Sequence, residues 1–180
     1  MEWNEIIKFW FEECTPRQWF KKDNAFDATI REKFEEVYWQ AMRGETEAWR
    51  KDPQGRLAEV IVLDQFGRNM FRGTPGAFAA DALALSLTEE AVWAGDDKKL
   101  SGIQRQFLYM PYMHSESREV HKNAFWLFMS LPVSKWGGLV YEIQHKKIID
   151  RFGRYPHRNA ILGRTSTPEE VEFLKTHKGF

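Results

Sequence analysis

Cysteine is all but missing from this chain: Cys14 stands alone among 180 residues. No internal disulfide can form, and a reducing compartment is the simple setting. Cys14 follows Trp10 and Phe11 on a helical segment. It reads as a small buried hydrophobe rather than a nucleophile. A charge excess of either sign is also missing, since 26 lysines and arginines balance 26 aspartates and glutamates. This balance argues against a general binder of nucleic acid or of anionic membranes, while leaving room for a local basic site. No run approaches the ~20 apolar residues of a membrane span. The first residues carry Glu2 and Glu5 rather than a basic stretch before an apolar core, so no signal peptide is expected and a cytoplasmic location is. The chain has no Gly-Lys-Thr phosphate loop, dinucleotide glycine fingerprint or Gly-x-Ser-x-Gly elbow. The enzyme classes those motifs signal have no support.

What is present is helical periodicity. Trp3, Ile6, Ile7, Trp10 and Phe11 recur at helical spacing, and Pro16 closes the segment. Phe26, Ile30, Phe34, Val37, Tyr38 and Ala41 form a second stripe, with Gly44 placed as a C-terminal cap. Leu57, Val60, Ile61 and Leu63 open a buried helix running toward Asn69. Thr74 and Pro75 mark another start, and the alanine- and leucine-rich run from Ala77 to Ala94 ends at Gly95. A short helix from Ile103 to Met110 is expected to stop at Pro111, with Ser115 capping a following helix to Met129. Leu139 to Phe152 is a further helix. Thr167-Pro-Glu-Glu170 is a capping box opening the last one, through Leu174. The expectation is one all-α domain, residues 1–180, of about eight helices in pairs. The tryptophans, Trp3, Trp10, Trp19, Trp39, Trp49, Trp93, Trp126 and Trp136, are spread along it as core and packing residues.

Polar residues that can carry chemistry fall in three clusters. The first closes the most apolar helix: Asp64 and Arg68 share a face, as do Gln65 and Asn69. Arg68 and Asn69 either present donors to a ligand or, in the plainer reading, Arg68 forms a structural ion pair with Asp64. Gly67 suggests fraying or bending there. The second is His114-Ser115-Glu116. Helix capping explains Ser115 and Glu116. His114 is left as a candidate general base, with Glu116 as partner, or as an ordinary hydrogen-bonded histidine. The third runs from Arg151 to Arg164 and holds Arg154, His157, Arg158, Asn159 and Arg164 in a segment punctuated by two glycines and a proline. His145 lies one turn before it. Its arginines either hold an anion or bridge helix C-termini and carboxylates such as Asp64 and Glu116. The histidines lack any ligand spacing strong enough to assign a metal.

Together Leu63-Asp-Gln-Phe-x-Arg-Asn69, Phe71-Arg-Gly-Thr-Pro75, Phe107-Leu-Tyr-Met-Pro111, His114-Ser-Glu116 and Arg151-Phe-Gly-Arg-Tyr-Pro-His-Arg-Asn159 resemble the bacterial family called domain of unknown function 924. Trp10-Phe11 at one end, and Leu162-Gly-Arg164 with the capping box at the other, extend the resemblance over nearly the whole chain. Gly67 stands where the family commonly has proline, and Tyr155 where it commonly has phenylalanine. The resemblance implies an all-α fold similar to tetratricopeptide-like helical superhelices. It implies no established activity.

Two functions are expected from different classes. In the first, an Arg/His-rich pocket binds a small anionic ligand and extends to an enzyme acting on a phosphorylated or carboxylated metabolite. His114, Glu116 and His157 would handle protons there. Asp64, Arg68, Asn69, Ser115, His145, Arg154, Arg158, Asn159 and Arg164 would bind. In the second, the chain is a tetratricopeptide-like module for peptides or proteins, without catalysis. No cofactor, metal or oligomeric state can be named from the residues.

Overall fold

The computed structural model describes every residue except Trp136, Lys178 and Phe180. The described residues form helices, turns and loops, with no strand among them. The helical segments are α1 (Trp3–Lys8), α2 (Pro16–Phe20), α3 (Asn24–Met42), α4 (Pro53–Val60), α5 (Gly67–Met70), α6 (Asp81–Trp93), α7 (Gly102–His114), α8 (Arg118–Met129), α9 (Gly137–Phe152) and α10 (Pro168–Leu174). A π-helical stretch, Ile61–Phe66, joins α4 to α5, so Pro53 to Met70 is one rod.

The α3 stripe predicted from spacing is the buried face of that helix. Asp23 caps α3 by accepting from the amides of Ala25 and Phe26. Gly44 and Gly95 adopt φ of 76° and 73° where their helices end, a left-handed backbone that glycine reaches without strain. The main core runs along α1 and the π-helical stretch Phe9–Glu13 that continues it, α3, the α4–α5 rod, α6 and α7, where Trp10, Phe26, Phe34, Phe66 and Phe107 meet ring to ring. Chain neighbours are spatial neighbours through the second half: α6 packs on α7, α7 on α8 and α8 on α9.

Four expectations need correction. Pro111 does not stop its helix; α7 continues to His114 with Phe107 to Met113 all buried. Burial on both sides of the proline outweighs the one backbone hydrogen bond it removes. The next helix therefore starts later. Ser117 caps α8, while the Ser115 hydroxyl accepts from the Ser117 amide at 3.2 Å. Glu119, not Glu116, sits in the first turn of α8. The rod also does not fray at Gly67. A side chain there would come within 3.0 Å of the Tyr38 ring, so glycine lets α3 and the rod approach closely. The tryptophans divide: Trp10 and Trp49 are buried and Trp3 and Trp19 partly so, but Trp39, Trp93 and Trp126 are exposed. The expectation for Trp136 lies outside the described residues.

Gly55 is the tightest glycine approach. An added Cβ would lie 2.1 Å from the Trp49 carbonyl oxygen, a backbone atom that cannot swing away. Gly55→Ala is expected to cost at least ~2 kcal/mol through overpacking, despite alanine's better helix propensity. A urea midpoint equal to or above that of the parent would contradict this.

Candidate functional site

The rod, α6, α7 and the arginine-rich segment bring their polar groups together around His114. Asp64 points inward from the π-helical stretch and is 1% exposed. His114, the last residue of α7, places Nδ1 2.7 Å from Asp64 Oδ1. Arg68 reaches the same oxygen at 2.9 Å from one helical turn on. The Gln65 amide donates to the other Asp64 oxygen at 2.6 Å. Burial alone would raise the Asp64 pKa. Arg68 and His114 nearby, with hydrogen bonds from His114 and Gln65, override it and hold the carboxyl well below the usual range. Burial, then Arg68, push the His114 pKa down against the pull of Asp64. The result is a carboxylate bonded to a neutral imidazole. Since a carboxylate only accepts, Nδ1 carries the proton and Nε2 is left basic.

Asp81, at the start of α6, ties the two central arginines together. Arg68 lies 2.8 Å from one of its oxygens and Arg158 3.1 Å from the other. The Arg158 guanidinium stacks against the rings of Phe78 and Tyr155, at 4.5 and 4.6 Å from their centroids. It donates to the His114 carbonyl at 3.0 Å. Its Nε is buried with no acceptor among the described residues. Burial and the like charge of Arg68 lower its pKa.

The remaining predicted residues form an outer layer. Glu116 is not the carboxylate that meets His114 Nδ1, which is Asp64; Arg164 grips Glu116 at 2.6 and 2.9 Å, and the Tyr155 amide donates to it at 2.7 Å. Burial raises its pKa, but these donors bring the net value below normal. Arg154 is engaged with both oxygens of Glu170, and Asn159 donates to Ser166 and to Glu170. Glu170 also closes the capping box with Thr167, so this carboxylate occupies the N-terminal end of α10. The plainer reading of the loop, arginines bridging carboxylates and helix ends, therefore describes Arg154 and Arg164, and also Arg158 through Asp81 and the His114 carbonyl. Asn69 turns away from His114 and donates to Asp27 at 2.7 Å. It lines an open groove of about 710 Å³ with Asp27, Arg31 and Arg72, whose charges are largely matched within the groove. The residues lining that groove include no histidine.

His145 and His157 both meet Tyr155, with ring centroids 5.7 and 5.5 Å from it. His145 lies 6.4 Å from His114, ring to ring. Burial lowers both pKa values, to about 3 for His145 and about 4 for His157. Among the described residues no group of three or more His, Cys, Asp or Glu is placed to hold a metal ion. Cys14 is buried, and its thiol is pushed up to about 11 by that burial and by Glu13.

Reading the sequence missed Asp81, His121, Glu142 and the contact role of Tyr155. Helical spacing holds a signal for two of them. His121 shares the buried face of α8 with Ala124 and Phe128, and Glu142 shares that of α9 with Gly138, His145 and Ile149. A titratable residue inside an apolar stripe is the mark of a buried polar pair.

No curated protein matches this chain. A solved structure from Agrobacterium tumefaciens, described as a protein of unknown function, has 37% sequence identity and a TM-score of 0.91, over 97% of each chain. The sequence pattern of a family described as bacterial protein of unknown function, DUF924, matches residues 6–178. Both the pattern, which spans almost the whole length, and this likeness in sequence and fold place the chain: it belongs to the DUF924 family.

Proposed function

We propose that this chain binds a small metabolite with an anionic group beside Arg158 and Arg68, and that His114 acts on it as a general base. The observation that carries the reading is the Asp64–His114 pair: a buried carboxylate 2.7 Å from Nδ1 turns Nε2 into the proton acceptor. Hydrolases use the same logic to orient a histidine. The Arg158 Nε without an acceptor adds support, because buried donors in folded proteins are nearly always satisfied. A phosphoryl or carboxylate group suits a guanidinium of this kind. Hydrolysis or group transfer on a phosphorylated or carboxylated metabolite is the reaction class. Glu116, Arg154, Arg164 and Asn159 shape the loop around the site rather than touch the ligand, and His157 is held in the same layer.

A second reading is a tetratricopeptide-like interaction module. Its support is the sequential packing of α6 to α9 together with the exposed Trp93 and Trp126. Thermal-shift screening separates the two. The panel holds phosphorylated metabolites, dicarboxylates and nucleotides, against the parent, Arg158→Lys and His114→Gln. A true ligand at about 100 times its dissociation constant adds roughly 2.7 kcal/mol, seen as a midpoint raised by several degrees. The shift should vanish in Arg158→Lys and persist in His114→Gln, which loses only turnover. A parent that responds to no member of the panel, or shifts equally in Arg158→Lys, would sink the proposal.

A further inference from the structure

We infer that His121, oriented by Glu142, is a positioning residue for His114: it holds the carbonyl at the end of α7 and so fixes the turn from which His114 reaches Asp64. The inference rests on His114 being the reacting group.

The last carbonyls of a helix have no helical partners and need other donors. At the end of α7 three successive carbonyls find them in side chains. The Tyr155 hydroxyl donates to Met113 at 2.6 Å, Arg158 to His114 at 3.0 Å, and His121 Nε2 to Ser115 at 2.9 Å. The backbone on both sides of His114 is therefore pinned. Tyr155 and Arg158 come from a loop more than 40 residues away, whereas His121 sits on α8 and is fully buried. A carbonyl only accepts, so His121 Nε2 must carry its proton. The opposite nitrogen, Nδ1, lies 2.7 Å from Glu142 Oε1. With the proton of a neutral ring on Nε2, Nδ1 only accepts, so the Glu142 carboxyl, whose pKa burial raises, holds the proton between them and secures the Nε2–H form that Ser115 requires. In the other tautomer, the Ser115 carbonyl would lose this donor. A buried His–Glu pair is at best a weak source of stability compared with an apolar pair of equal volume. Its distinct contribution here is geometric.

The groups facing His114 come from four elements: Asp64 and Arg68 from the rod, Asp81 from α6, Arg158 from the loop and His145 from α9. None is removed by changing Glu142 or His121. An altered His114 in such variants would therefore report its placement.

The experiment is ring-nitrogen NMR of the 15N-labelled full chain across a pH titration. In the parent, His114 should show the single Nδ1–H form, because Asp64 accepts from it. Glu142→Gln should preserve this signature, since its amide can donate to His121 Nδ1 and retain Nε2–H. Glu142→Leu should give His114 a mixture of tautomers and a titration midpoint moved toward that of an ordinary histidine. Should that variant fold poorly, the volume-matched double change His121→Leu with Glu142→Leu offers the same readout on an apolar contact. If His114 keeps the parent signature in a folded Leu variant, the inference is overturned. Where turnover is available, kcat should fall about 10- to 100-fold with KM little changed, the usual effect of a small misplacement. The NMR result does not depend on a ligand. A parent that binds nothing removes the base role alone, and a parent that binds with no NMR change in the variants removes the positioning role alone.

Discussion

Asp64→Ala should lower the unfolding free energy by about 3–5 kcal/mol, the usual cost of leaving a buried charge without its partner. The carboxylate accepts from Arg68, His114 and Gln65, so removing it strands three donors in a site almost closed to water. Asp64→Asn keeps the volume and one acceptor oxygen but abolishes the charge that offsets Arg68. It should fall between the parent and alanine. The His114 pKa should drop further, because the neighbour that raises it is gone. Urea unfolding at pH 7 measures the first effect and NMR titration the second. An alanine variant within about 1 kcal/mol of the parent would mean that solvent reaches this site and that Asp64 does not govern His114.

Acid should weaken the fold well before carboxylates titrate. Burial holds His145 at about 3 and His157 at about 4, against 6.5 for the unfolded chain. Below 6.5 the unfolded chain binds protons that the folded one refuses, so stability falls as pH falls from 6.5 toward the folded values. At pH 5 each group lies about 1.5 units below its unfolded pKa, worth roughly 2 kcal/mol if fully buried. His157 is partly open to water, which reduces its share, and together the two should remove about 2–4 kcal/mol between pH 7 and pH 5. His114, also lowered, acts in the same direction. Glu142 opposes them: burial raises its pKa, so the folded state takes up a proton more readily as pH drops. Asp64 adds to the loss only further down, below about pH 4, because its folded pKa is depressed. The check is the urea midpoint at the two pH values for the parent and for His145→Gln, which should lose about half of the drop. Equal parent midpoints at pH 7 and pH 5 would contradict burial of these histidines in the working protein.

The local signals of the chain carried far. The α3 stripe, the Gly44 and Gly95 helix ends and the Thr167–Glu170 capping box depend on contacts within a few residues, and each stands where the spacing puts it. Pro111 and Ser115 misled because proline's local penalty is small beside the burial of a whole helix face, which no window around Pro111 displays. The candidate site divides along the same line. That His114, Arg68 and Arg158 carry chemistry could be argued from residue type and clustering. Which carboxylate each would meet could not. Glu116 is the nearest acid to His114 in sequence, yet the partner is Asp64, 50 residues away. Asp81 reads locally as an ordinary acid in a first helical turn, and only packing of α6 against the rod and α7 sets it between two arginines.

Periodicity, caps and composition thus determined an all-helical chain with polar groups gathered at helix ends, because these depend on one to four residues of separation. The tertiary structure alone decided which of those groups are paired and which are left under-bonded. That outcome depends on contacts 40 to 80 residues apart, such as Arg158 to Asp81 across 77 positions. It also depends on burial, which turns an Asp–His contact from a surface ion pair into a charged acceptor and a neutral base.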